Sequence, residues 1–157
     1  MSTETATALL DVALQDLHAG KVAQVDRLPG IASNCSDAGL VDLLQREAAQ
    51  AAVQAARIRD GGVEVSGPES LWMTGILDDA ERDGRETKPG RLLDIALVGA
   101  IRKAKAAEIV SSETAIALAR ELGAEKWLDV ASANRAEEVA SDRLLKERLA
   151  ALTGGPD

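Results

Sequence analysis

The sequence has no phenylalanine and no tyrosine, and its two tryptophans, Trp72 and Trp127, stand far apart along the chain. A core without aromatic bulk must come from Leu, Ile, Val and abundant Ala, whose small side chains let helices approach closely. The same absence removes the stacking platforms that hold single-stranded nucleic acid. Basic residues are outnumbered 18 to 26, and the net charge of −8 disfavours condensation onto phosphate backbones. Nucleic acid is not an expected partner.

Cysteine and histidine are equally scarce, with Cys35 and His18 the sole examples. An internal disulfide is excluded, a Cys/His zinc site would lack two of its usual four ligands, and a hydrolytic triad has no signature around the one imidazole. Any metal site would have to rest on carboxylates. No run of eighteen apolar residues exists, so no membrane-spanning helix is expected. The opening stretch "MSTETATALLDVAL" places acidic and threonine residues where a signal peptide carries basic ones, which points to the cytoplasm.

What remains is a chain of 157 residues, 46% apolar, long enough for one core and read as one domain over residues 1–157. Four long Ala- and Leu-rich segments carry helical periodicity, and strand-like alternation never lasts more than a few residues. The fold class is therefore all-α. The first helix is expected from about Thr5, with Ser2, Thr3 or Thr5 as its cap, to a bend or break at Pro29-Gly30. The second begins after a Ser36-Asp37 cap and ends before "DGG" at 60–62. A short connector helix fits between "SGPES" at 66–70 and "RDGRETKPG" at 82–90. The third long helix spans Gly90 to Leu122, with Gly123 as a left-handed cap, and the fourth spans Ala124 to Leu152 before a frayed "TGGPD" end.

Each long helix has an apolar stripe that turns polar at its centre. In the first, Leu10, Leu14 and Leu17 give way to Lys21 and Gln24 before Leu28 resumes. The second runs Leu40, Leu43/Leu44, Glu47, Gln50, Gln54, Ile58. The third places Lys105, Glu108 and Ser112 between Leu97, Ile101 and Ile116, and the fourth places Arg135, Glu138 and Asp142 between Leu128 and Leu145. Four polar centres at mid-helix suggest one shared layer. Carboxylate-bridged di-metal bundles build their sites in such a layer. The competing reading keeps these residues at the edge of the core, stems on apolar surface and charged heads in water.

At several points the sequence resembles the YciE/YciF-like proteins of the ferritin-like superfamily, stress-associated bacterial helical bundles. "LHAGKVAQVDRLPGIA" at 17–32 is similar to that family's "LYxAEKQLxxALPxMA", and "DIALVGAIRKAKAAEI" at 94–109 to its "DxALixAAQKVEHYEI". "EEVASDRLL" at 137–145 follows "EExxADexL", and "MTGILDD" at 73–79 follows the connector motif "MxGLIxE". The resemblance covers nearly the whole chain and implies a ferritin-like antiparallel four-helix bundle with a connector helix, a stress-related role and pairing into homodimers.

The departures from that pattern fall on the positions taken as metal ligands. Lys21 stands where the family has a glutamate, Glu47 and Gln50 where it offers His and Glu, and Lys105-Ala106 where it has Glu-His. Gln54, Glu108, Glu137, Glu138 and Asp142 keep family-like identities. Divalent ions need anionic oxygen or neutral imidazole, and two ammonium groups would repel them. The expectation is a degenerate site without a metal cofactor, in which Lys21, Glu47, Gln50, Gln54, Lys105, Glu108, Glu138 and Asp142 form a polar belt tied by ion pairs. Catalysis is not expected. The alternative is a working di-iron or di-manganese carboxylate protein, an oxidase or iron-handling protein. A remoter one is a histidine phosphotransfer module, since His18 and Lys21 have the spacing of a phosphorylated histidine and its steadying lysine, although Gly20 falls on the wrong side of the lysine.

Overall fold

The first helix starts where a hydroxyl can satisfy an orphan donor: Thr5 accepts from the Ala8 backbone N–H at 3.1 Å. The computed structural model describes residues 2–154, and among them five helices follow in order. These are α1 (Ala6–Ala32), α2 (Ala38–Asp60), α3 (Leu71–Glu86), α4 (Arg91–Leu122) and α5 (Glu125–Thr153). No strand occurs among the described residues, and the fold is an all-α bundle. Of the terminal stretch expected to fray, residues 155–157 lie outside the described residues.

The break expected at Pro29-Gly30 does not occur, because α1 continues to Ala32. Proline there removes a single N–H near the helix end, while Ile31 and Ala32 are buried and hold the last turn in the core. The Ser33 N–H donates to the Pro29 carbonyl at 3.1 Å, and its hydroxyl donates to the Gly30 carbonyl at 2.6 Å. Helix α2 begins at Asp37, whose carboxylate accepts from the Leu40 N–H at 2.8 Å. The buried carboxylate of Asp94 on α4 reaches across to the Ser36 and Asp37 N–H groups at 2.9 and 2.8 Å. Gly123 ends α4 with φ of 65°, a left-handed conformation that a side chain would strain.

The core is divided in two. One apolar cluster contains Leu28 and Ile31 of α1, Leu40 and Leu44 of α2, Leu93 to Ile101 of α4 and Leu145 of α5. The other contains Leu10 to Leu17 of α1, Ile58 of α2, Ala115 to Ala119 of α4 and Ala131 of α5. The order in which each helix meets the clusters sets its direction: α1 and α5 run one way, α2 and α4 the other. Helix α2 therefore ends at the bundle end opposite to where α4 begins, and the chain must cross its length between them. Residues 61–70 and α3 make that crossover, with Met73, Leu77 and Ala80 of α3 buried in the first cluster. Arg27 clamps α3 to α1 through Glu81 at 2.9 Å and Asp78 at 2.6 Å, and Trp72 donates its indole N–H to Asp16 at 2.6 Å.

Candidate functional site

Between the two apolar clusters lies a layer of charge. Lys21 of α1 and Lys105 of α4 are 1% and 0% exposed, and Glu47, Glu108 and Glu138 are buried beside them. Helical spacing explains why: each occupies an inward stripe position with a buried residue three or four places away, Leu17 for Lys21, Leu44 for Glu47, Ile101 for Lys105, Ala104 for Glu108 and Asn134 and Ser141 for Glu138, so burial of the stripe buries the charge with it.

Lys105 Nζ is the centre of the layer. Oxygens from all four long helices converge on it: Glu47 Oε2 at 2.6 Å from α2, Glu138 Oε2 at 2.9 Å from α5, Gln24 Oε1 at 3.1 Å from α1 and Glu108 Oε1 at 3.2 Å from its own helix. Lys21 Nζ is in direct contact with Glu108 Oε2 and donates to Glu138 Oε1 at 3.0 Å. Gln24 links the two halves, donating from Nε2 to Glu108 Oε1 at 2.9 Å while its carbonyl oxygen serves Lys105. Glu108 and Glu138 thus each bridge both ammonium groups.

Burial by itself would push the Glu138 carboxyl up, but Lys105 and Lys21 overcome it and hold it down at about 2. Burial pulls Lys105 down as well, and there Glu138 and Glu47 win, so its pKa is raised. For Lys21 burial prevails: it lowers the ammonium to about 8, against the attraction of Glu138 and with the repulsion of Lys105. The two lysines differ because three carboxylates and a carbonyl oxygen surround one, and two carboxylates the other.

The remaining belt residues lie elsewhere. Gln50 is half-buried and donates to Ser141 Oγ at 3.0 Å. Gln54 is fully buried but turns to Glu137, at 3.2 Å. It joins a neighbouring polar group in which Arg57 grips Glu137 and donates to Asn134 at 2.9 Å. Asp142 sits nearer the surface and takes both ends of the Arg102 guanidinium, at 2.8 and 3.2 Å. None of the three touches either lysine. Gln24, by contrast, is part of the layer although its side chain is neutral and the sequence pattern places it only on the polar centre of the α1 stripe, three residues after Lys21, and not in the expected belt.

These residues fit a divalent ion poorly. Each of the three carboxylates already has an ammonium nitrogen against it, and an ion between them would lie beside two positive charges. Among the described residues no group of three or more histidine, cysteine or acidic side chains is arranged to hold a metal. Elsewhere, burial, then Asp94 and Asp37, push the Cys35 thiol up to about 12, which disfavours the nucleophilic thiolate. Burial and Arg59 lower His18, and Lys21, committed to the layer, is not free to steady a group on that imidazole.

Residues 5–154 match the family described as Domain of unknown function (DUF892). The chain belongs to this family. Among solved structures, that of the Escherichia coli stress protein YciF superposes on this DUF892 chain with a TM-score of 0.93 at 21% identity, covering 98% of this chain and all of that one. YcfI, a putative structural protein from Rhodopseudomonas palustris, gives 0.84 at 24% identity, over 91% of this chain and 94% of that one. At these identities the likeness is one of fold, and it reaches from the first long helix through the last. No curated protein matches. No helix among the described residues is long and apolar enough to cross a membrane.

Proposed function

We propose that this DUF892 chain is a non-catalytic, ferritin-like bundle with a structural, stress-related role, and that two tethered ammonium groups stand where a di-metal site would otherwise join its helices. The observation that carries the reading is the environment of Lys105 Nζ, ringed by oxygens from all four long helices within 3.2 Å. An ammonium group there makes the crosslinks that a cation would make, but offers no open coordination position, no Lewis acid and no electron to transfer. A role in stress and structure is what the descriptions of YciF and YcfI suggest for proteins of this fold.

What such a layer supplies is register. Sliding any of the four helices by one turn would strand a buried charge opposite a leucine, and an uncompensated buried charge is far costlier than a displaced methyl group. The apolar clusters above and below are made of similar Leu, Ile and Ala contacts and discriminate between registers less sharply. Metal analysis of protein purified without chelator tests the reading: iron and manganese are expected well below one equivalent, and unfolding midpoints unchanged by EDTA. Stoichiometric iron or manganese would sink it and favour the oxidase or iron-handling alternative. Pairing into homodimers belongs to the same proposal. It is supported by an apolar strip in which exposed Leu9 and Val12 of α1 border one shallow groove with Leu71, and Leu9 borders a second with Val110.

A further inference from the structure

We infer that the oxygens around Lys105 Nζ form a site for a small nitrogen cation, of which Lys105 is the built-in occupant: with that side chain truncated, the cradle takes a free ammonium or primary alkylammonium ion. This rests on the reading of the layer as ion-paired.

Three features of the layer carry the inference. The first is coordination number. A primary ammonium has three N–H bonds, yet four oxygens lie within 3.2 Å of Lys105 Nζ, so the cradle offers one acceptor more than its occupant can serve with straight bonds. The second is distance. Separations of 2.6–3.2 Å are those of charge-assisted N–H···O bonds, and exceed the roughly 2.0–2.2 Å that zinc, or 2.0–2.1 Å that magnesium, requires of oxygen. The third is support. Three of the four residues are held by more than Lys105: Lys21 pins both Glu108 and Glu138, and Gln24 is tied to Glu108 and to the Gly20 carbonyl of its own helix, while Glu47 pairs with Lys105.

Truncation of Lys105 would leave Glu47, Glu108 and Glu138 facing Lys21 alone, three carboxylates to one ammonium. A monovalent cation entering the vacated space restores the native balance of three to two. Its entry needs no permanent channel, because an ion that binds only the folded chain raises the unfolding midpoint by linkage whatever path it takes.

The experiment uses the full chain carrying Lys105→Ala. Thermal unfolding is followed in ammonium, methylammonium and ethylammonium chloride, with sodium and tetramethylammonium chloride at equal ionic strength as references. The midpoint is expected to rise with the logarithm of ammonium or methylammonium concentration above the sodium reference, with tetramethylammonium giving nothing because it has no N–H to donate. The native protein is expected to show no such difference. Lys105→Met, which refills the space with an uncharged chain, is expected to stay unresponsive. Equal midpoints in ammonium and sodium overturn the inference, as does an equal response from Lys105→Met, which would place the ion elsewhere. If Lys105→Ala is unfolded in sodium chloride, the same series is read as recovery of far-ultraviolet helicity, and no ammonium-dependent recovery overturns it. Rescue by manganese or calcium in place of ammonium overturns the choice of cation. Metal content of the native protein tests the underlying reading separately, so the two can fail independently.

Discussion

Lys21 belongs to an ion-paired layer that, taken whole, need not stabilise the fold more than an apolar layer would, yet losing this one side chain strands its buried partners. Its ammonium is 1% exposed and touches two carboxylates, and desolvation offsets much of the attraction. Removing it is another matter, because Glu108 and Glu138 would then share one lysine. Lys21→Met is expected to lower unfolding free energy by about 3–5 kcal/mol in urea titrations, the range for breaking a buried pair. Asp142→Asn, which weakens the partly exposed Arg102 pair, should lose no more than about 1 kcal/mol in the same assay. A small loss for Lys21→Met would place its ammonium in water. At this scale the sequence was informative where a charge interrupted a leucine stripe, as at Lys21 and Lys105. It marks Gln24 as polar on the α1 stripe but not as a partner of Lys105, because a glutamine there reads equally as core edge or solvent face, and it does not separate Asp142 from Glu138, one helical turn apart on α5. Only the neighbour on α4, Arg102, draws Asp142 outward.

Helix boundaries were legible wherever a side chain or a backbone conformation marks them locally. Thr5 and Asp37 cap their own helices and Gly123 ends α4, all within a few residues of the chain they terminate. Pro29 was misleading for a related reason. The rule for proline concerns one backbone donor, and the last turn of α1 is held by burial of Ile31 and Ala32. Asp94 belongs to neither case, since it caps the start of α2 from 57 residues away and nothing near it in sequence announces that role. Asp94→Ala leaves the Ser36 and Asp37 N–H groups without their acceptor. The expected loss is about 1–3 kcal/mol in chemical unfolding, with amide exchange rising first at the beginning of α2. Unchanged exchange there would show that Asp37 suffices to hold the helix start.

For the whole molecule, the polar layer and the crossover are linked, since α3 carries the chain the length of the bundle and so lets α2 and α4 run parallel with Glu47 and Lys105 at one level. The apolar strip around Leu9 and Leu71 lies outside that arrangement and bears on assembly. A dimer mass by light scattering is expected for the native chain, and a shift toward monomer for Leu71→Glu, which alters a residue 82% exposed and leaves the core intact. A monomer mass for the native chain would remove pairing from the proposal. By itself the sequence determined that the chain is helical, where its four long helices lie and that each is polar at its centre, because periodicity, caps and composition act within a few turns of one helix. Tertiary structure decided which of those polar residues meet. The partners of Lys105 come from residues 24, 47, 108 and 138, and their convergence depends on the packing and direction of four helices, which no local pattern records.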